Sequence, residues 1–128
     1  MKILLGVVAL AVLAGCGSEL KYSDEIVFHG TLVEEIGKPA DCGPDAWAVV
    51  HKFTCDKIYV GKYNRPFIYV AQNCSDLMAD TIIAMDRKFQ IAVSVKNKYK
   101  WEVRLDNKYK AESPVVFWLK DIEEIVSN

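Results

Sequence analysis

The apolar and polar positions of the chain alternate with a period of two over several stretches, which predicts β-strands. The apolar face of the first predicted strand, residues 25–36, carries Ile26, Phe28, Gly30 and Leu32. A glycine inside such a run indicates a bend or a bulge. Residues 47–60 form a second long run, and its alternation changes phase near residues 56–57. A bulge at that point accounts for the slip in register.

Shorter runs predict the remaining strands. These runs cover residues 67–71, 89–95, 99–105 and 115–119. Residues 96–98 read as the turn of a hairpin, and residues 120–128 as a short helix or a frayed end. Five or six strands at short spacing, with at most one or two short helices, indicate an all-β fold, either a sandwich or a small barrel. The long, bent leading strands favour a five-stranded barrel, in which one strand serves two halves of the sheet.

The first fifteen residues have a different pattern, a charged start followed by an almost unbroken apolar run. Lys2 precedes residues 3–13, which only Gly6 interrupts. A secretory signal peptide has this arrangement, with an apolar region of about 7–15 residues. The run is too short for a membrane-spanning helix, which needs about 20 apolar residues. We therefore expect a signal helix that is removed on export.

The last residues of this segment, Leu13-Ala14-Gly15-Cys16, resemble the lipobox of bacterial lipoproteins. The resemblance implies a diacylglycerol on the sulfur of Cys16, cleavage before Cys16 and acylation of the new amine. Two or three acyl chains anchor a protein firmly, because each buried CH₂ contributes about 0.8 kcal/mol. Gly17, where inner-membrane lipoproteins tend to have an aspartate, favours the outer membrane. The alternative is an ordinary secreted protein in which Cys16 enters a disulfide.

The sequence thus divides into three parts. Residues 1–15 are the signal peptide, residues 16–24 a lipidated tether, and residues 25–128 the folded domain. The eight residues 17–24 span at most about 28 Å, so the domain stays close to the lipid. Without residues 1–15 the 128-residue chain retains 113 residues, a common size for one domain.

Three cysteines remain after Cys16, and the exported chain meets an oxidising compartment in which disulfides form. Cys42 and Cys74 both lie beside turn residues, and we predict that they pair. Such a bridge closes a loop of roughly 30 residues and stabilises the fold by about 3–4 kcal/mol. Cys55 lies inside a strand-like run and reads as a buried thiol of the core. No Cys-x-x-Cys is present, which argues against a thiol oxidoreductase or a zinc ribbon.

The charge of the chain argues against nucleic acid as a partner. The whole chain carries a net charge of −1, and the loss of Lys2 with the signal peptide makes it −2. Residues 18–46 carry a net charge of −5 and residues 86–110 a net charge of +5. The basic part contains the predicted hairpin, whose alternation puts one set of cations outward. This candidate binding face consists of Lys96, Lys98, Lys100 and Arg104.

No residue pattern indicates catalysis, a metal or a cofactor. His29 and His51 are the only histidines, and they lie on different strands without the spacing of zinc ligands. Cys55 lies in the middle of a strand, a place that suits a core thiol better than a nucleophile. The serines lack the Gly-x-Ser-x-Gly context of hydrolases, and the chain has no Gly-rich phosphate loop. We therefore expect a protein that is not an enzyme.

In the middle of the chain Cys42-Gly43 leads to residues 49–55, then to residues 56–62, and the next strand ends at Cys74. This pattern resembles the OB-fold of the netrin-like group, which includes the tissue inhibitors of metalloproteinases. The resemblance covers residues 26–105 loosely and residues 42–74 more closely, and it implies the fold alone. Those inhibitors bind zinc through a free N-terminal cysteine in a Cys-x-Cys start. The mature chain is expected to begin Cys16-Gly17-Ser18, without a second cysteine, and acylation would leave no basic amine at Cys16. The inhibitory mechanism therefore does not carry over.

Three functions follow from these observations. The first is a lipid-anchored envelope module that binds a protein partner. The second is a binder of envelope polymer, peptidoglycan or lipopolysaccharide, through the basic aromatic hairpin. The third, by analogy of fold, is an inhibitor of an envelope hydrolase.

Overall fold

The computed structural model describes residues 19–36, 47–73, 83–97 and 103–126. These residues form seven strands, and among them no helix has the length and apolar character needed to cross a membrane. The strands are β1 (Glu25–Thr31), β2 (Trp47–Thr54), β3 (Lys57–Val60), β4 (Phe67–Gln72), β5 (Lys88–Ser94), β6 (Arg104–Asp106) and β7 (Phe117–Glu124).

All seven strands belong to one sheet with the order β3-β1-β5-β7-β4-β2-β6. The pairs β4–β7 and β2–β6 are parallel, and the other pairs are antiparallel. The sheet bends so far that the end of β1 meets β2, through a bridge between Leu32 and Phe53. The backbone N–H of Val33 also donates to the carbonyl of Lys52 at 2.9 Å. The all-β prediction is confirmed, but the sheet does not close into a barrel, so the predicted barrel holds only roughly.

The main core lies inside the bent sheet. The alternation predicted for the first strand is correct, because Ile26, Phe28 and Leu32 are all buried. Phe53 of β2 and Phe89 of β5 complete an aromatic centre in which the rings of Phe53 and Phe89 meet edge to face, with centroids 6.4 Å apart. Such pairs contribute about 0.5–1.5 kcal/mol beyond their burial.

A second, smaller core covers the outer face of β2 and β4. Ala48 and Val50 of β2 pack there with Tyr69 and Ala71 of β4. Val103 and Tyr109, from the chain between β5 and β7, also belong to this cluster. Consecutive residues of β2 are therefore buried on both faces, which is why that stretch of sequence is apolar without clear alternation.

The predicted strand over residues 47–60 is two strands, so the proposed bulge is wrong. The chain leaves β2 after Thr54, where the N–H of Cys55 donates to the carbonyl of Pro66 at 2.8 Å. One residue later the N–H of Asp56 donates to the carbonyl of His29 at 2.9 Å. The chain thus crosses from the partner of β4 to the partner of β1, and the change of phase in the sequence marks this crossing.

The predicted hairpin around residues 96–98 is also wrong as a strand pair. Both edges of β5 are occupied, one by β1 and the other by β7. Residues 104–106 instead form β6, which lies parallel to the start of β2 through Trp47 and Ala48. The physical reason is that β7 brings Leu119 and Ile122 into the core beside β5, and both are buried.

The end of the chain forms a strand where a helix or a frayed end was predicted. β7 continues to Glu124 and pairs with β5, with Ile122 opposite Ile91. A register shift of this ladder at Ala92 and Val93 lets the strand keep Leu119 and Ile122 inward although they are three residues apart.

Most of the predicted tether is part of the folded domain. Residues 19–24, here called the docked segment, lie along the loop 61–66. The side chain of Asn64 accepts from the N–H of Lys21 at 2.8 Å and donates to the carbonyl of Glu19 at 2.7 Å. The N–H of Ser23 donates to the carbonyl of Lys62 at 2.9 Å, and the Ser23 hydroxyl accepts from the N–H of Lys62 at 2.8 Å. Only residues 17 and 18 separate Cys16 from this hydrogen-bonded segment.

Candidate functional site

A pocket of about 210 Å³ opens on the outer face of the sheet at the start of β4. Its walls are Tyr63, Arg65, Pro66, Phe67, Tyr69, Glu112 and Pro114. Phe67 and Tyr69 are two apart on β4 and therefore point to the same face. The pocket thus combines aromatic rings, prolines and one residue of each charge.

The side of the pocket that carries Glu112 is built by a compact turn. The side chain of Asn107 accepts from the N–H of Tyr109 at 2.9 Å, which is the hydrogen bond of an Asx turn. The N–H groups of Glu112 and Ser113 both donate to the carbonyl of Tyr109, at 2.9 and 2.8 Å. These bonds fix Glu112 on the outer face of β4, where it closes the pocket.

Lys52 of β2 lies at the base of this arrangement. Its ammonium is 4.4 Å from the centroid of the Phe67 ring, and 5.8 and 5.7 Å from those of Tyr69 and Tyr109. The same ammonium contacts a carboxylate oxygen of Glu112 at 2.5 Å. Only 16% of the Lys52 side chain is exposed, so the ring contacts and the ion pair hold it in place.

The carboxylates of Glu112 and Glu34 each contact one tyrosine and one lysine. Glu112 accepts from Lys52 and from the Tyr69 hydroxyl at 2.9 Å, and these hydrogen bonds lower the pKa of its carboxyl. Glu34 accepts from the Tyr109 hydroxyl at 2.6 Å and pairs with Lys108 at 3.0 Å, and its carboxyl pKa is also lowered.

Burial, together with these carboxylates, raises the pKa of both Tyr69 and Tyr109. At neutral pH the site therefore presents ionised carboxylates and protonated tyrosines. It offers the partly exposed ring of Phe67 and a fixed carboxylate as acceptor.

The side chains of Cys55 and the two histidines are not among those that line this pocket. Cys55 has a free, half-buried thiol that packs against the main core, and burial followed by the charge of Asp56 raises its pKa to about 11. The ring of His29 lies within 3.2 Å of both Tyr59 and Gln90, whereas His51 is buried against Gln72. Among the residues that the structure describes, no three side chains form a metal-binding group.

The residues singled out from the sequence fall in different places. Lys96 and Arg104 are both exposed, but they follow β5 and begin β6 and do not belong to one hairpin. The other predicted site residues lie outside the described residues, namely Cys16, Cys42, Cys74, Lys98 and Lys100.

The aromatic residues Tyr63, Phe67 and Tyr69 line the pocket, and Tyr109 lies beside it. Sequence reasoning missed Lys52 and Glu112, which are 60 residues apart. The one available signal was the charge of Lys52 between the buried residues His51 and Phe53.

Comparison with known proteins leaves the site to be interpreted from its own chemistry. No family model matches the chain, and neither the curated proteins nor the solved structures contain a match.

Proposed function

We propose that this protein is a lipid-anchored bacterial envelope protein that acts as a non-enzymatic binding module. Its recognition site is the pocket at the start of β4, and its partner is another envelope protein. The observation that carries the proposal is the combination in this pocket of aromatic rings, Arg65 and the fixed carboxylate of Glu112. Aromatic residues and arginine are the residue types that dominate binding energy at protein interfaces.

The size of the pocket favours a protein partner. Pockets that enclose small molecules have volumes of about 300–1,000 Å³. A pocket of about 210 Å³ suits one or two side chains of a partner, which would fill it as an anchor. The polymer-binding alternative depended on the basic hairpin, and Arg104 and Leu105 pair with β2 instead of with β5.

The membrane part of the proposal is supported by the lipobox sequence that ends at Cys16. The variant Cys16→Ser should be released from membranes or accumulate as an unprocessed precursor in its bacterial host. Acyl labelling and the intact mass of the mature protein provide the measurement. Normal processing and acylation of Cys16→Ser would disprove the lipoprotein assignment.

Site-specific photo-crosslinking in cells tests the pocket. A photoreactive residue replaces exposed Pro66 at the rim, and the same residue at exposed Met85 serves as the matched control. We expect a discrete protein adduct from position 66 that Glu112→Gln weakens and that position 85 does not give. An adduct that muramidase digests would favour the polymer alternative, and equal adducts from both positions would refute a specific pocket.

A further inference from the structure

The docked segment determines which side of the domain lies nearest to the anchor. Asn64 binds both Glu19 and Lys21, and a bridge joins Tyr22 to Tyr63. The ring of Tyr22 also packs edge to face on the buried ring of Phe117, with centroids 5.6 Å apart. The chain therefore leaves the domain at the loop 61–66, on contacts that involve both backbone and side chains.

The distance from this point to the acylated residue is short. Three residue steps lead from Cys16 to Glu19, and a fully extended chain covers about 10 Å in three steps. A freely moving domain on a tether of nine residues could turn any side toward the lipid. A domain that is fixed from residue 19 onward can turn only the surface around the loop 61–66 toward the lipid.

Three lysines lie on or beside the docked segment, and we call them the anchor-side lysines: Lys21, Lys62 and Lys96. Lys21 and Lys62 belong to the docked segment and its partner loop. Lys96 follows Val95, whose N–H donates to the carbonyl of Asp24 at 2.8 Å, and its charge contributes to the lowered pKa of Glu25. In the described part of the chain none of the three ammonium groups forms an ion pair, and all three residues are exposed.

We infer that the surface carrying the anchor-side lysines rests on the phospholipid headgroups of the membrane that holds the acyl chains. This inference depends on the proposed acylation of Cys16. Glu19 and Asp24 lie on the same segment, so the surface has only a small positive excess. The short connection brings it to the bilayer, and the lysines favour anionic headgroups once it is there.

The pairing of β1 with β5 identifies lysines that can serve as an internal control. Lys88 of β5 lies opposite Thr31, six residues along β1 from Glu25. At about 3.3 Å per residue, Thr31 and therefore Lys88 lie roughly 20 Å from Glu25. Lys57 of β3 lies opposite His29 and is also displaced toward that end. Lys57 and Lys88 are therefore the distal lysines.

Lysine footprinting of the acylated, full-length mature protein tests the inference. The protein is reconstituted in vesicles of phosphatidylethanolamine with 30 mol% phosphatidylglycerol (about one anionic lipid in three), treated briefly with an amine-acetylating reagent, and mapped by mass spectrometry. We expect the anchor-side lysines to react several-fold more slowly than the distal lysines. Equal rates for the two sets would overturn the inference.

A linker variant separates membrane contact from local protein structure. About 30 Gly and Ser residues inserted between Ser18 and Glu19 give a flexible tether with a root-mean-square length of roughly 30 Å. We expect the difference between the two sets of lysines to shrink in this variant. If the difference persists unchanged, the slow reaction belongs to the domain itself and the inference is wrong.

Charge reversal tests the role of the lysines. In Lys62→Glu/Lys96→Glu we expect Lys21 to lose protection on vesicles with phosphatidylglycerol, whereas Lys57→Glu/Lys88→Glu should leave it unchanged. Loss of protection in both pairs alike would refute the assigned surface. A protein that lacks an acyl mass on Cys16 and does not float with vesicles would instead refute the proposed function, and flotation with equal lysine rates would refute only the inference.

Discussion

Gly30 lies so close to Thr54 that a Cβ atom at residue 30 would stand 1.9 Å from the carbonyl oxygen of Thr54. This is the place where the end of β1 meets β2. The contact is also tied by the N–H of Thr31, which donates to the hydroxyl of Thr54 at 2.9 Å. The glycine therefore permits the approach of two strands that are not neighbours in the order of the sheet.

Gly30→Ala should destabilise the protein, because the atom in conflict belongs to the backbone and cannot move aside alone. Overpacking of this kind costs about 1–3 kcal/mol, and occasionally more. Urea denaturation of the purified protein measures the change in unfolding free energy. His29→Ala, at the neighbouring half-exposed position, is the control and should cost less. Equal costs would contradict the importance of this approach.

Lys52→Met should lower stability by about 1 kcal/mol, because it keeps the apolar stem but removes the ammonium from the rings of Phe67, Tyr69 and Tyr109. Lys57→Met is the matched control, since the Lys57 ammonium lies 4.9 Å from the single ring of Tyr59 on the exposed edge strand. Thermal unfolding of both variants provides the comparison. A larger loss in Lys57→Met would contradict the account of the pocket.

Cys55 should react slowly with alkylating reagents in the folded protein. A rise in pKa from 9.0 to about 11 leaves roughly one hundredth of the thiolate at pH 8, and half-burial limits access further. Denaturant should restore the ordinary rate of alkylation.

Non-reducing peptide mapping of the exported protein should link Cys42 to Cys74. A disulfide at Cys55 would contradict both this pairing and the slow alkylation of Cys55.

His51 should make the protein less stable as the pH falls below about 6.5. Burial lowers its pKa, and the hydrogen bond with Gln72 offsets part of that shift. The unfolded chain therefore binds the proton first on acidification, which removes stability at up to about 1.4 kcal/mol per pH unit. The carbonyl of Gln72 can only accept, so Nε2 carries the proton, and the buried Nδ1, which has no partner, would receive the second one.

The measurement is the free energy of unfolding between pH 5.5 and 7.5, a range above the titration of the carboxylates. His51→Gln should flatten its dependence on pH. A slope that is the same in the His51 variant and in the natural protein would contradict the prediction.

The strands that could be predicted are those in which one face is buried throughout. β1 and β5 alternate cleanly because each has one side on the main core, with Phe28 and Ile91 as paired neighbours. The end of β7 could not be predicted in this way. Its inward residues Leu119 and Ile122 are three apart, because the register shifts within the ladder, and a period of two is lost at that point.

The site was harder to predict than the strands, since its charges come together only through the fold. Lys52 lies 18 residues after Glu34 and 60 residues before Glu112, and no local pattern links the three. Nothing in the sequence distinguishes Tyr69 and Tyr109, which donate to the two carboxylates, from the other aromatic residues. Because β2 is buried on both faces, its pattern of apolar residues does not indicate on which face Lys52 lies.

The hydrogen bonds that join Asn64 to Glu19 and Lys21 also have a mechanical consequence. If the acyl chains hold residue 16 and a partner pulls on the pocket, the tension enters the domain at Glu19. It first loads the hydrogen bonds of Asn64 and Ser23, and then β1, which is bonded on one edge to β5 and on the other to β3. A pull along the direction of β1 stretches many of these bonds together instead of one after another. An anchor at residue 16 would thus pull on the domain in a geometry that loads these hydrogen bonds together.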